Sequence, residues 1–239
     1  MTITVGVLAI QGGVVEHISL LHRASEYLHS HPLPSSTTKK IPDFTFIQVR
    51  TVPQLSQCDA LIIPGGESTT MSIVAQRLGL LEPLRQFVKV DNKPVWGTCA
   101  GLVMLASAAS ATKQGGQELI GGLDVRVLRN RYGTQIQSFV ADLDLSKILE
   151  DGQEEKGKPF RGVFIRAPVV EELDKEKGVE VIGVYKGKEG EEGKEDVVAV
   201  RQGNVFGTSF HPELTEDVRI HVWWLRRVVE ALKDVEEVR

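Results

Sequence analysis

Residues 94–101 read PVWGTCAG, and the small apolar segment AGLVMLASAAS follows at 100–110. A short apolar strand that passes through a Gly-x-Cys-x-Gly turn into a helix has the pattern of a nucleophile elbow. The flanking glycines leave room in so tight a turn, where a β-carbon would clash. The pattern predicts a strand, a strained turn that carries Cys99, and a helix behind it.

Similar units of strand, glycine turn and helix lie on the N-terminal side of this segment. The run ITVGVLAI at 3–10 ends in a Gln-Gly-Gly loop, and DALIIPGG at 59–66 ends in a glycine pair. Such runs predict strands, and apolar residues at helical spacing predict helices. The predicted strands lie at 3–10, 44–49, 59–66 and 94–97, and the predicted helices at 14–28, 68–90 (interrupted near Gly79 and Pro83) and 100–110. This alternation predicts an α/β fold with a central, mostly parallel sheet flanked by helices.

The second half of the chain differs in texture. After residue 120, short strand-like segments alternate with glycine-rich or charged turns, and a helix over roughly 215–236 closes the chain. We predict one domain over 1–239, with loop insertions at 29–43, 150–158 and 186–196. The carboxylates of the last two loops alternate with lysine and glycine and lack the ligand spacing of a calcium loop, so we expect no metal site there.

Composition narrows the classes of function. The 239 residues are 41% hydrophobic and 25% charged, with a formal net charge of -4. We find no basic stripe that would suit a phosphate backbone, so nucleic acid is not an expected partner. No apolar run reaches the roughly 18 residues of a membrane span, and the N-terminus lacks the pattern of a signal peptide. With only two cysteines, a disulfide framework is not needed, so we expect a cytoplasmic protein.

Cys99 is the candidate nucleophile. The start of the following helix favours a thiolate at this position, and the backbone N–H of Ala100 lies where it could hold an oxyanion. The alternative is a buried structural cysteine in a glycine-rich turn, since cysteine is among the residues most often buried. Cys58, which lacks the glycine frame, is interpreted as structural.

A thiolate nucleophile needs a base and a group that orients the base. The segment SFHPE at 209–213 offers His211 and Glu213 at a spacing that, in an extended chain, places both side chains on one side. The alternative is a histidine that caps the final helix at a proline-bounded turn. The remaining histidines, among them His17 and His221, lie in predicted helices or beside loops and lack such a setting.

The segment PGGESTT at 64–70 is the third candidate piece. Glycines at the C-terminal end of a parallel strand let the backbone approach a ligand closely, and the N–H of Gly66 is a candidate second oxyanion donor. The alternative is a plain turn with Ser68 or Thr69 as the helix N-cap. A phosphate-binding loop is disfavoured because no Gly-Lys-Ser/Thr follows.

Taken together, these motifs resemble the class I, triad-type glutamine amidotransferases, and more closely the glutaminase subunits of pyridoxal 5'-phosphate synthases. The resemblance spans nearly the whole chain and is carried by VGVLAIQGGVVEH (5–17), LIIPGGESTTM (61–71), PVWGTCAGLVMLA (94–106), RNRYGTQIQSF (129–139), GVFIRAP (162–168) and GTSFHPELTED (207–217). It implies a flavodoxin-like, three-layer fold without a cofactor.

The resemblance also implies an activity and a partner. The chain would hydrolyse L-glutamine to L-glutamate and ammonia, and would pass the ammonia to a synthase subunit in a hetero-oligomer that makes pyridoxal 5'-phosphate (vitamin B6). Cys99 would be the nucleophile, and His211 and Glu213 would complete the triad. Further implied roles are oxyanion N–H donors from Gly66 and Ala100, glutamine contacts from Gly66, Glu67, Ser68, Arg129, Ile165 and Arg166, and an interface or activation role for Gln11.

Other functions stay open at this point. The chain could serve as the glutaminase of another amidotransferase, as a cysteine hydrolase of γ-glutamyl or peptide bonds, or as a catalytically silent module that docks on a synthase. An α/β-hydrolase is disfavoured because its acid precedes the histidine in the chain, whereas Glu213 follows His211.

Overall fold

A computed structural model describes residues 2–31, 41–110, 117–131, 138–149, 158–187 and 195–237. The predicted insertions at 29–43, 150–158 and 186–196 lie for the most part outside these residues, so they stay predictions, as does the assignment of a single domain. Within the described ranges, no helix is both long and apolar enough to cross a lipid bilayer.

The described residues form twelve strands and seven α-helices, with one short 3-10 turn at Pro212–Leu214. The strands are β1 (Thr2–Leu8), β2 (Asp43–Val49), β3 (Ala60–Ile63), β4 (Val95–Thr98), β5 (Ala106–Ser110), β6 (Leu123–Leu128), β7 (Ser138–Leu143), β8 (Phe160–Ile165), β9 (Val169–Leu173), β10 (Glu180–Tyr185), β11 (Asp196–Gln202) and β12 (Val205–Thr208). The helices are α1 (Val14–Ser30), α2 (Val52–Leu55), α3 (Ser68–Arg77), α4 (Leu81–Lys89), α5 (Ala100–Leu105), α6 (Ser146–Leu149) and α7 (Arg219–Glu237).

The central sheet is parallel where it carries the candidate motifs. Its strands run in the order β2-β1-β3-β4-β12, all parallel, which is the flavodoxin-like order of a doubly wound sheet. The sheet continues through antiparallel β11 to β9, β6 and β5, with β10 paired to β11, while β7 and β8 form a separate antiparallel pair. The prediction of a mostly parallel α/β fold is confirmed.

Strand alternation divides the core into two layers. In β3, Leu61 and Ile63 belong to a cluster with α2, α3, α4 and α5, whereas Ala60 and Ile62 belong to a cluster with α1, α6 and α7. Successive side chains of a strand point to opposite faces, so a fully apolar strand is buried on both sides. The result is a sheet between two helical layers.

Two details differ from the sequence prediction. The predicted helix at 100–110 ends at Leu105, and residues 106–110 form β5, which pairs in parallel with β6. Alanine favours helix intrinsically, but pairing with β6 satisfies the backbone of this segment, and tertiary pairing outweighs a weak propensity. Pro83 does not interrupt a helix but lies in the first turn of α4, where its missing N–H needs no partner.

Gly97 and Gly101 let α5 lie directly on the ends of β3 and β4. A β-carbon at Gly101 would be 2.0 Å from the carbonyl oxygen of Ile63, and one at Gly97 would be 2.4 Å from the carbonyl carbon of Gly101. Both contacts are with backbone, which moves only if the whole element moves. The two glycines therefore fix the distance between the helix and the strand that flank Cys99.

We expect Gly101→Ala to lower the free energy of unfolding by about 2 to 3 kcal/mol through overpacking, although alanine stabilises an open helical site. Urea denaturation of the purified chain measures this change. Gly79→Ala is the matched control. Apart from the two neighbouring residues in the chain, no described atom lies within 4 Å of a methyl group at Gly79, and the φ of Gly79 is +66°. The control should cost only the left-handed backbone penalty of about 1 to 2 kcal/mol. Equal or higher stability of Gly101→Ala than of the wild type would contradict the close approach.

Candidate active site

The candidate residues meet at the C-terminal edge of the parallel strands. The loops after β1, β3, β4 and β12 border a cavity of about 510 Å³, a volume that suits a small polar ligand. Ligands of open α/β sheets bind at this edge. Every predicted site residue except Glu213 lines this cavity: Gln11, Gly66, Glu67, Ser68, Cys99, Ala100, Arg129, Ile165, Arg166 and His211.

Cys99 occupies a strained turn between β4 and α5. Its φ of 50° and ψ of -103° are unusual for a residue with a β-carbon, and strain of this kind is often stored at functional sites. Its N–H donates to the carbonyl of Thr208 at 2.7 Å, which ties the turn to the end of β12. The residue is only 6% exposed and lines the cavity, with Sγ 4.0 Å from the carbonyl oxygen of Ile165.

His211 and Glu213 are joined by a short hydrogen bond. Nδ1 of His211 lies 2.8 Å from Oε1 of Glu213, and the carboxylate is almost fully buried. The expectation that an extended chain brings them together is wrong, because Glu213 lies in the 3-10 turn that begins at Pro212. The turn folds the carboxylate back towards the ring, and the N–H of His211 is held by the carbonyl of Val163 in β8.

The sulfur of Cys99 and the imidazole of His211 come together beside Gly65. A β-carbon at Gly65 would be 2.4 Å from Cε1 of His211 and 3.3 Å from Cβ of Cys99. The absent side chain thus makes room for the ring, which interacts with the Cys99 side chain. Cys99, His211 and Glu213 are therefore adjacent in that order, with Cys99 and His211 at the cavity and Glu213 behind His211.

The electrostatics of this trio favour a charged imidazole. Burial would lower the pKa of His211, but hydrogen bonds and charge interactions with Cys99 and Glu213 outweigh it and raise the pKa to about 10. Burial would raise the pKa of Glu213, but His17 and His211 hold it below its usual value. A carboxylate beside an imidazolium is the arrangement expected of the orienting acid of a triad.

Glu67, rather than Ser68 or Thr69, is the N-cap of α3. Its carboxylate accepts from the N–H groups of Thr69 at 3.1 Å and Thr70 at 2.7 Å. It also pairs with Arg129 at 2.8 Å. Burial would raise the pKa of Glu67, but the bonds from Thr70 and Thr69 lower it to about 2. The carboxylate therefore stays charged and fixes the loop that contains Gly66.

Gln11, in the loop that follows β1, contacts the loop that contains Gly66. Its Oε1 accepts from the N–H of Glu67 at 2.9 Å, and a β-carbon at Gly66 would be 2.8 Å from that oxygen. Gly66 has a φ of +152°, which a residue with a side chain rarely adopts. Gln11 thus borders the candidate oxyanion site, while its predicted role at a partner interface stays a prediction.

Arg129 and Arg166 bring cationic groups to the cavity from β6 and β8. Arg166 has a φ of 44°, so the backbone after β8 turns sharply at the cavity wall. Arg129 donates to Oε1 of Gln117 at 3.2 Å, and Ser68 donates to the same atom at 3.1 Å. Gln117 lies in a polar stretch without a recognisable pattern, which is why the sequence did not reveal it.

Two buried histidines behind Glu213 are the main residues that the sequence analysis missed. Nε2 of His17 lies 3.4 Å from Oε2 of Glu213, and Nδ1 of His17 lies 3.1 Å from Nε2 of His221. The sequence offered no triad-like setting for these histidines, whereas the structure places His17 beside Glu213. The sequence feature that could have identified them is their position on the apolar faces of α1 and α7, one helical turn from Leu21 and Leu225.

No metal centre accompanies this site in the part of the chain that the structure describes. There, no group of three or more histidine, cysteine, aspartate or glutamate side chains is arranged to hold an ion. Both cysteines are free thiols.

Comparisons with known proteins identify the family. The model of the SNO glutamine amidotransferase family matches residues 7–230. The chain is 43% identical over 243 aligned residues to the probable pyridoxal 5'-phosphate synthase subunit PDX2 of Arabidopsis thaliana, covering 95% of this chain and 86% of the relative. It is 42% identical over 228 residues to the pyridoxal 5'-phosphate synthase subunit PdxT of Pyrococcus furiosus, covering 95% and 100%.

A solved structure agrees with both results. The crystal structure of a glutamine amidotransferase superposes with a TM-score of 0.72 at 36% identity, and the match covers 94% of this chain and 98% of that one. The chain belongs to the SNO glutamine amidotransferase family.

Proposed function

We propose that this chain is the glutaminase subunit of a pyridoxal 5'-phosphate synthase, which hydrolyses L-glutamine to L-glutamate and ammonia. The observation that carries the proposal is that Cys99 and His211 lie together at a cavity of suitable size and that Glu213 is hydrogen-bonded to the far side of the His211 ring. Family membership and the names of the relatives from Arabidopsis thaliana and Pyrococcus furiosus support the substrate and the pathway.

The first half of the reaction forms a thioester. The Cys99 thiolate attacks the side-chain amide carbon of glutamine, and the carbonyl oxygen becomes an oxyanion. The N–H groups of Gly66 and Ala100, which both border the cavity, stabilise that charge. His211 gives its proton to the amide nitrogen, the carbon–nitrogen bond breaks, and ammonia leaves.

The second half restores the enzyme. His211, now neutral, takes a proton from a water molecule as that water attacks the glutamyl thioester. The carbon–sulfur bond breaks, glutamate leaves, and the thiolate and imidazolium form again. Glu213 holds Nδ1 of the ring throughout, so that Nε2 faces the reacting atoms.

The cavity wall supplies the recognition of glutamine. We assign contacts with the substrate to Gly66, Glu67, Ser68, Arg129, Ile165 and Arg166, all of which line the cavity. Guanidinium groups suit a carboxylate, so Arg129 and Arg166 are the candidate partners of the α-carboxylate of glutamine. The carboxylate of Glu67 supports them by holding Arg129 in place.

The ammonia acceptor is a synthase subunit, with which this chain forms a hetero-oligomer. Gln11 lies in the loop after β1, beside the candidate oxyanion site, so a partner that contacts this loop would lie close to the backbone of Gly66 and Glu67. We place the complex in the cytoplasm, where the free thiols Cys58 and Cys99 stay reduced.

We expect Cys99→Ala to lower glutamine-dependent ammonia release by at least about 10³-fold, because no other group can form the thioester. The assay measures ammonia from the purified chain, alone and mixed with the synthase subunit. Cys58→Ala is the matched control and should keep wild-type turnover, because Cys58 is fully buried in the core away from the cavity.

Substantial ammonia release by Cys99→Ala would reject the assigned nucleophile. A wild-type chain that binds the synthase subunit but releases no ammonia would instead identify a silent docking module. Circular dichroism of both variants shows whether the fold is retained.

We expect the ring of His211 to keep its proton far above its ordinary pKa of 6.5, since the pKa is raised to about 10. A raised pKa means that the charged ring favours the folded state. This contribution to stability is fully present below about pH 6.5 and is lost as the pH rises towards 10. NMR titration of histidine-labelled protein measures it, and Glu213→Gln should move the midpoint to lower pH. An unchanged midpoint in that variant would contradict the coupling.

A further inference from the structure

Two histidines are buried behind the candidate triad, between α1 and α7. His17 and His221 are both 0% exposed and lie beside the ring of Trp96, at centroid distances of 5.8 and 4.9 Å. Burying a polar ring among aromatic side chains costs free energy unless the ring finds a partner. We therefore expect the buried pair to make polar interactions that offset this cost, and not only to fill the core.

The pair is in line with Glu213. Oε1 of Glu213 accepts from His211, and Oε2 faces Nε2 of His17 at 3.4 Å. That oxygen is buried and has no hydrogen-bond partner among the described residues. The nitrogen that faces it is Nε2 of His17, which also lies 3.5 Å from the hydroxyl oxygen of Thr98. On its other side, Nδ1 of His17 lies 3.1 Å from Nε2 of His221.

The chemistry of the groups defines the position of each proton. Both rings are buried, and desolvation lowers the pKa of His17 and of His221 to about 3, so each ring is neutral and carries one proton. The Thr98 hydroxyl beside His17 Nε2 can donate or accept, so it is compatible with either tautomer. A carboxylate is only an acceptor, so a lone pair of His17 Nε2 pointed at Oε2 would be repelled. The proton of His17 therefore lies on Nε2, and its Nδ1 accepts from Nε2–H of His221.

This assignment of protons to the two rings agrees with the surroundings of His221. His221 then has a bare Nδ1, and that atom has no hydrogen-bond partner among the described residues. A missing partner is less costly for a ring lone pair than for a buried N–H in such an apolar site. The opposite order would leave a buried N–H without an acceptor and would turn a lone pair towards Glu213.

We propose that His17 is a positioning residue of the glutaminase reaction, which directs its Nε2–H at Oε2 of Glu213 and so holds the carboxylate for His211, while His221 fixes the tautomer of His17. This inference rests on the proposed function. His17 does not touch the cavity and acts only through Glu213. Without it, Oε2 of the buried carboxylate would lose the N–H group that faces it, and Glu213 would support the charged ring of His211 less well.

A purely structural role for His17 makes a different prediction. If the pair only joins α1 to α7, any variant that weakens this packing should lower stability and leave the turnover of the folded fraction unchanged. If His17 positions Glu213, turnover and the titration of His211 should change with the hydrogen-bond donor at Nε2. The two roles therefore differ in which variants preserve activity.

Substitution of His17 by glutamine or by asparagine tests the roles of its two ring nitrogens separately. The amide nitrogen of His17→Gln can take the place of Nε2 and keep a donor towards Glu213. The shorter side chain of His17→Asn reaches only the place of Nδ1, so it keeps a polar group beside His221 but loses the contact with Glu213. Leu21→Ala is the matched control, because it weakens the same buried face of α1 without a polar change.

The experiment measures kcat and KM for ammonia release by each variant in complex with the synthase subunit. We expect His17→Asn to lower kcat about 10- to 100-fold, which is below the full range of general acid–base catalysis, and to leave KM within about twofold. His17→Gln should recover most of the lost kcat. Leu21→Ala should lose stability but keep the kcat of its folded fraction.

NMR titration of His211 in the free chain gives a second readout. The titratable and charged groups around this cluster are Cys99, His211, Glu213, His17 and His221, with Arg23 acting on His221. We expect the midpoint of His211 to move to lower pH in His17→Asn and to stay near the wild-type value in His17→Gln.

Equal kcat and equal His211 titration in His17→Asn and His17→Gln would overturn the inference, whether both match the wild type or both fall. Absence of ammonia release from the wild type would overturn the proposed function instead. In that case the titration alone still decides whether His17 is coupled to Glu213. If His17→Asn does not fold, His221→Leu, which leaves the tautomer of His17 undefined, should produce the same shift of the His211 midpoint.

Discussion

The parallel pairing of β4 with β12 is the constraint on which the candidate site depends. The two strands are in register from Val95 opposite Val205 to Thr98 opposite Thr208, so they end at the same level. The chain leaves β4 through Cys99, whose N–H bonds to the last carbonyl of β12, and leaves β12 towards His211. Residues far apart in sequence thus meet because two neighbouring strands stop together, and a shift of one residue would turn every side chain of one strand to the other face.

The close packing at this edge of the sheet depends on glycines, which avoid steric clashes, and on histidines, which stabilise the buried charge of Glu213. Gly65 admits the ring of His211, Gly13 admits the side chain of Glu213, and Gly101 admits the backbone of β3. The left-handed backbone of Cys99 is strained and persists because α5 and β12 hold it on both sides. Glu213 is stable as a buried carboxylate only because histidines face both of its oxygens.

Local patterns identified the four parallel strands β1 to β4, although the predicted strands at 3–10 and 59–66 run two and three residues past the observed ends at Leu8 and Ile63. The apolar runs before Gly65 and Gly97 identified β3 and β4, and the turns after them placed the nucleophile and the candidate oxyanion donors. Patterns failed where tertiary contacts decide the structure. Residues 106–110 look helical but pair with β6, and Glu213 reaches His211 through a 3-10 turn that the His-Pro-Glu segment does not distinguish from an extended chain.

The buried histidines show why part of such a site is hidden in a sequence. His17 lies on the apolar face of α1. From the sequence alone, a histidine there that supports the site cannot be distinguished from one that only fills the core, because its partner on another element is not known. That partner, His221, lies 204 positions away on α7, and Glu213, which faces His17, lies in a turn between β12 and α7. The helices α1 and α7 have the sequence pattern of ordinary amphipathic helices, yet they also supply the histidines behind Glu213. A group that hydrogen-bonds a buried charge must itself be buried, so its sequence position looks like a core position.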